Sequence, residues 1–535
     1  MTHGCATKKD ILKNLIPFKE IKLKTQVLII GGGITGAGIA RDLALRGIKC
    51  ILAEKHDINA GASGANHGLL HSGARYVAGD FVNAEECREE GNILKKLAPH
   101  CVEDTGGLFV AVEGDDERYV ADFPGLCSKC GIPVRTLDIK EALEMEPVLS
   151  KKIIAAYQVP DAAVDPFKLS LDNIYQALDL GCTLLRHSKV TGFTIKGNRI
   201  LATKLQNMLT DEEFKIEAMQ VVNAAGAWAK EVAALAGCAI NLLYSKGSLL
   251  VTHNRIAQRV INRLRPSSNA DILVPGGTVS ILGTTSITID TLDKVLPTVQ
   301  ETDFIVSEAA AMIPQLERTR FIRAYAGVRP LLATQSGTDD RSVSRGFALL
   351  DHIEDGLENF ASITGGKLTT YRLMAEKTAN LICNRLGVSR PCLTRTDPLP
   401  PDGAARWTKP GLAPKVWMKQ HAPEDIMLCE CEMVPKSVVN SIVESIHEQN
   451  GKPDLKAIGL RSRIGKGACQ GTFCGLRTCA YLYDTDELHA DEGLTSLREF
   501  VTERWRGVRP LLWDTPLIQA ELQEALYCGL MGLEL

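Results

Sequence analysis

The sequence predicts a mixed α/β and α+β protein with a separate cysteine-bearing region near its C-terminal end. Three observations carry that prediction. Residues 26 to 54 read as strand, helix and strand around a glycine-rich turn; residues 157 to 385 mix short apolar strands with helical stretches; and at 391 to 423 proline displaces apolar periodicity. A chain of 535 residues exceeds a single hydrophobic core, so several domains are expected.

The first unit is the clearest. "QVLIIGGG" is an apolar strand running into glycines, "ITGAGIARDLALRG" has helical spacing, and "IKCILAE" is a second strand. Further on, "DPFKLSLDNIYQALDLG" and "LTTYRLMAEKTANLICNRLG" read as helices of the same body. The expected division is an N-terminal extension over 1–24, a main body over 25–388, a linker over 389–423, a cysteine domain over 424–482 and a helical segment over 483–535.

Composition excludes several classes. Lysine and arginine number 61 against 64 acidic residues, a net charge of -3, which offers no footprint for nucleic acid. The first 25 residues scatter lysine through short apolar stretches and lack the apolar core of a secretory signal, so a cytoplasmic location is expected. No window approaches the run of about 20 apolar residues that a membrane-spanning helix needs. Sixteen cysteines in such a chain read as reduced thiols plus a metal site.

Gly31, Gly33 and Gly36 form G-x-G-x-x-G directly after the first strand and at the opening of a helix. Such glycines permit a tight turn, close approach of backbone to a pyrophosphate, and close helix packing. Glu54 closes the second strand, where a carboxylate accepts from an adenosine ribose and repels a 2′-phosphate, which disfavours NADP. "VVNAAGAWA", with Gly226, ends a strand in small residues and tips the choice between NAD and FAD toward FAD.

In order along the chain, "VLIIGGGITGAGIARDLALRG", "GASGANHGLLHSGARY", "VVNAAGAWA", "GTTS", "RAYAGVRPL" and "ITGGKLTTYRLMAE" resemble the FAD-dependent glycerol-3-phosphate dehydrogenases of the D-amino-acid oxidase-like superfamily. "CECEMV" and "CQGTFC" extend the resemblance to the A subunits of its anaerobic, quinone-linked branch, whose tail is similar to the bacterioferritin-associated-ferredoxin type of [2Fe-2S] domain. The resemblance implies a Rossmann-like FAD-binding domain, an inserted mostly β substrate domain and a small C-terminal iron-sulfur domain. It also implies oxidation of sn-glycerol 3-phosphate to dihydroxyacetone phosphate. The implied partners are a B subunit that carries FMN and a membrane-bound iron-sulfur C subunit that reaches quinone, with the chain peripheral on the cytoplasmic face of the inner membrane.

That reaction removes the carbinol hydrogen as hydride and the hydroxyl proton to a base. His71 in "HSGARY" is the candidate base, with His67, one turn earlier, able to take the same role, and Tyr76, five residues after His71, is a further catalytic candidate. Arg75, Arg329 and Lys367 fall on family positions that contact substrate or the reacting end of the flavin, where arginine forks hold phosphate and a fixed cation stabilises a developing alkoxide. Gly365, Gly366 and Thr369 open a helix at the cofactor. Thr284 and Thr285 are expected as turn residues without a catalytic role.

Cys429, Cys431, Cys469 and Cys474 are the four thiolates a [2Fe-2S] cluster requires, and a four-cysteine zinc site is the competing reading. Cys127, Cys130 and Cys479 are expected as packed thiols. Two other functions share these residues: a flavin dehydrogenase of a 2-hydroxy or amino acid, and a non-catalytic zinc or iron interaction module.

Overall fold

The computed structural model describes residues 23–293, 295–332, 346–401, 415, 417–419, 422–449 and 451–534. Most of the expected N-terminal extension, 1–24, lies outside them, as do positions 402–414, 416, 420 and 421 of the expected linker.

The first body is built on a parallel sheet centred on Leu23–Ile30, with Glu213–Asn223 and Phe360–Gly365 on one side and Cys50–Ala53 and Thr183–Leu185 on the other. Val27, Leu28 and Ile29 are fully buried, as expected of a strand covered on both faces. An antiparallel meander, Ser188–Lys196 and Arg199–Asn207, extends the sheet beside Glu213–Asn223. Helix Ile34–Leu45 packs between helices Pro166–Asp179 and Tyr371–Leu386 through Ile39, Ala40 and Leu43. Asp165 caps the second of these by accepting from Phe167 and Lys168 N–H, with Pro166 in the first turn; Gly387 in the left-handed region ends the third.

The second body is a nine-stranded, mostly antiparallel sheet inserted between strands of the first. Its spine is Leu242–Thr252 paired along its length with Phe321–Leu332. Helix Val299–Ala310 covers one face, started by a capping box between Thr298 and Glu301. This is the mostly β insert that the sequence leads one to expect.

The third body comprises a hairpin, Met427–Cys429 with Val434–Pro435, and helices Lys436–Glu448, Leu455–Arg461, Cys474–Asp484, Glu492–Val508 and Thr515–Glu524. Its core unites Val439, Ile446, Ile458 and Leu482 with Leu497, Phe500 and Tyr527. The separation expected at 482/483 therefore falls inside one core. Its physical cause is the glycine-rich cysteine loop, which leaves room that Phe500 fills at Gly465, Gly471 and Gly475, while the Tyr527 hydroxyl hydrogen-bonds the Gly471 and Thr472 carbonyls. The described start of the expected linker is also packed: the Leu399 N–H donates to the Leu97 carbonyl at 2.9 Å and its side chain is buried.

The third body docks on the first through buried charge. Arg461 meets both oxygens of Asp57, at 2.8 and 2.9 Å, and Arg186 adds a third contact at 3.2 Å. Beside it, the Lys466 ammonium lies 4.0 Å from the ring centroid of Phe167. No helix among the described residues is long and apolar enough to cross a membrane.

Candidate active site and cysteine centre

A cleft of ≈ 570 Å³ runs from the glycine loop at Gly31 and Glu54 to Gly366 and Lys367, across the junction of the two sheets. The turn at Gly31 has φ +112°, and a Cβ there would lie 2.5 Å from the Ala224 carbonyl oxygen, so the motif closes against the "NAAG" segment as glycine alone permits. Glu54 accepts from the Gly32 N–H at 2.7 Å and from the His56 N–H at 2.8 Å. Burial raises its carboxyl above the ordinary value, against those two hydrogen bonds. Ser63 caps helix Ile34–Leu45 from 29 positions away by accepting the Ile34 N–H at 2.9 Å.

Gly226, Gly365 and Gly366 line the cleft; Gly36 and Thr369 do not. Gly36 packs into the loop, where a Cβ would stand 1.9 Å from the Gly31 carbonyl oxygen. The buried Thr369 hydroxyl accepts the His71 N–H at 3.1 Å and so helps to fix the histidine loop.

The structure brings the five expected catalytic residues to this cleft. His71 Nε2 is 3.4 Å from the Tyr76 hydroxyl, with ring centroids 5.2 Å apart. Lys367 Nζ lies 4.5 Å from the Tyr76 ring centroid and donates to Asn83. Arg75 Nη2 is paired with the fully buried Asp271 at 2.9 Å, and its Nη1 is buried with no partner among the described residues. Arg329, on the long strand of the second body, is held by Ser245, the Thr285 carbonyl and the Thr284 hydroxyl. His67 also lines the cleft; burial, Arg329 and Arg75 together push its pKa down to about 3. Three cations, Arg75, Arg329 and Lys367, thus line one cleft, an arrangement suited to an anion, beside an imidazole and a phenol able to move a proton.

No local pattern in the sequence marks Asp271, Asn83 or Ser63 as holding these groups, and Thr284 reads there only as a turn residue. Thr284 and Thr285 serve as supports, since Thr285 Oγ1 also accepts the Ser248 N–H at 2.9 Å.

The cleft suits an extended dinucleotide: a helix start behind a glycine turn and a carboxylate at its second strand. Across the third body, Cys429 and Cys431 Sγ are 3.7 Å apart, as are Cys431 and Cys469, and Cys474 closes the ring through Cys429 and Cys469. All four are free thiols. A Cβ at Gly467 would stand 2.5 Å from Cys431 Sγ, so the loop approaches the ring as closely as it can. Four thiols from two segments fit a four-thiolate metal centre. Cys127, Cys130 and Cys479 lie buried in their helical surroundings.

Residues 26–381 match the model of the FAD dependent oxidoreductase family. The A subunit of the anaerobic glycerol-3-phosphate dehydrogenase of Escherichia coli K12 is 42 % identical over 532 residues, covering 95 % of this chain and 97 % of that protein. The corresponding A1 subunit of Haloferax volcanii is 36 % identical, covering 96 % and 91 %. The solved glycerol-3-phosphate dehydrogenase of Bacillus halodurans, complexed with FAD, has the same fold at a TM-score of 0.62 and 22 % identity, over 95 % of this chain and 99 % of that one. Glycine oxidase of Geobacillus kaustophilus aligns with 68 % of this chain at a TM-score of 0.58. The glycine loop, the cation-lined cleft and the cysteine ring thus sit in a chain that belongs to the FAD-dependent oxidoreductase family, in the branch of the anaerobic glycerol-3-phosphate dehydrogenase A subunits.

Proposed function

We propose that this chain oxidises sn-glycerol 3-phosphate to dihydroxyacetone phosphate with FAD. The observation that carries the reading is the convergence of Arg75, with its unpaired Nη1, and Arg329 on the cleft that also holds His71, Tyr76 and Lys367. The arginines bind the phosphate through charge-assisted hydrogen bonds. His71 takes the hydroxyl proton at Nε2, Tyr76 orients the ring, and Lys367 provides a fixed positive charge for the oxygen as the proton leaves. FAD, when bound, supplies the two-electron acceptor for the hydrogen on carbon.

In this reading Cys429, Cys431, Cys469 and Cys474 would hold a [2Fe-2S] cluster, which would supply one-electron transfer from the flavin toward a further carrier. Support comes from the four free thiols, the pattern "CECEMV" and "CQGTFC", and relatives named as A subunits. The further carriers are a B subunit, with FMN, and a membrane-bound iron-sulfur C subunit that reaches quinone, so the chain is peripheral to the membrane through its partners. A substrate screen under anaerobic dye reduction tests the activity: turnover with sn-glycerol 3-phosphate is expected, and turnover only with hydroxy or amino acids would replace it.

A further inference from the structure

The loop from Ala62 to Leu69 is tied down at every turn. Asn66 Nδ2 donates to the Ser63 carbonyl at 2.8 Å, Asn66 Oδ1 accepts the Gly68 N–H at 2.8 Å, and the Tyr325 hydroxyl donates to the Asn66 carbonyl at 2.7 Å. Within this frame His67 Nδ1 lies 3.1 Å from the Leu69 backbone nitrogen. A backbone N–H has only a proton to give, so Nδ1 accepts, and the neutral ring must carry its own proton on Nε2. The tautomer is set by the chain itself.

The charged groups around this ring are Arg75, on the turn that follows, and Arg329, on the facing strand; the His71 ring stands edge-on with centroids 6.0 Å apart. Both guanidinium groups oppose a second proton on His67, as does its burial, which keeps the ring neutral at working pH. A ring with one nitrogen engaged by backbone and no tendency to gain a proton is unsuited to act as a base. It is suited to donate, and among the described residues no protein group accepts from its Nε2.

We propose that His67 is a fixed, uncharged hydrogen-bond donor to the substrate phosphate, acting with Arg75 and Arg329, and that proton removal belongs to His71 alone. The proposal rests on the reading that the two arginines hold a phosphate. It differs from that reading in adding a neutral donor whose direction is determined by backbone, and in excluding the second histidine from base duty.

The test uses the FAD-loaded full chain and three variants, with inorganic phosphate binding followed by perturbation of the flavin spectrum and turnover followed across pH. His67→Ala should weaken phosphate and raise KM by about tenfold to a hundredfold, the value of a hydrogen bond to a charged group, while the low-pH limb of the kcat profile stays in place. His67→Gln, which keeps a donor at the same reach but cannot titrate, should recover most of the affinity. The nitrogen-15 signals that vanish in His67→Gln should be those of a ring protonated at Nε2 alone at neutral pH, and a ring protonated at Nδ1 would overturn the assigned donor. Loss of the low-pH limb in both His67 variants with unchanged phosphate affinity would make His67 a base and overturn the proposal. Unchanged phosphate affinity in Arg329→Ala as well would instead remove the phosphate site from this cleft, and the parent reading with it.

Discussion

The Asp57 carboxylate grips the Arg461 guanidinium with both oxygens, Oδ2 at 2.8 Å from Nη1 and Oδ1 at 2.9 Å from Nη2, and this pair joins the flavin-fold body to the cysteine body. Both side chains are almost fully buried, at 3 % and 1 % exposure. Burial alone would raise the Asp57 carboxyl, but the charge and hydrogen bonds of Arg461, with Arg186 behind them, hold it well below the ordinary carboxylate range. A depressed carboxyl contributes stability that is present above its unfolded pKa of about 3.9 and is lost only as pH falls through the folded value. The latch should therefore be constant in strength between about pH 5 and about pH 8. Asp57→Asn leaves the buried arginine without its counter-charge and should cost about 3–5 kcal/mol. Denaturant unfolding, with hydrogen exchange at Leu455–Arg461, measures it; unchanged exchange there would show that the bodies are held by other contacts.

His71→Asn should lower kcat by about 10²–10⁴-fold and remove the low-pH limb of the rate profile, while FAD content stays constant. Retention of full turnover would transfer the proton to another group in the cleft.

Asp271 lies behind the proposed phosphate site but aims Arg75, Arg265 and the Ser268 N–H at once. Asp271→Asn should raise KM for sn-glycerol 3-phosphate by about tenfold or more with a smaller change in kcat, because Arg75 loses its fixed direction. Steady-state kinetics over the substrate range checks this, and an unaltered KM would release Arg75 from phosphate binding.

Cys431 is the exposed member of the sulfur ring. Cys431→Ser should therefore leave the protein folded, deplete iron and acid-labile sulfide, and uncouple dye reduction from transfer to the next carrier. Metal analysis decides the outcome: stoichiometric zinc in the unaltered protein would replace the cluster by a structural site.

The residues of the two sites differ in how far the sequence exposes them. Gly31, Gly33 and Glu54 are legible because a dinucleotide turn writes its backbone geometry into local spacing. The cysteine ring is legible for the same reason, as two tight pairs. Asp271, Thr284, Asn83 and Ser63 are not, because each meets its partner across two separate chain segments and no periodicity records such a meeting. Gly36 is legible in the same way, since a Cβ there would clash with the Gly31 carbonyl, whereas the hydrogen bond of Thr369 to the His71 N–H joins two distant segments and leaves no local pattern. The apolar faces beyond residue 483 are likewise visible in the sequence, but that Phe500 fills the glycine gaps of the cysteine loop emerges only when the helices pack.

In the proposed function one chain couples a substrate-reducible flavin to a cysteine-held iron-sulfur centre. An absorption spectrum of protein purified without oxygen, before and after addition of sn-glycerol 3-phosphate, tests it most directly. Flavin bands that bleach with substrate over a broad visible iron-sulfur absorbance are the predicted result, and flavin that stays oxidised, or the lack of that broad absorbance, would contradict it.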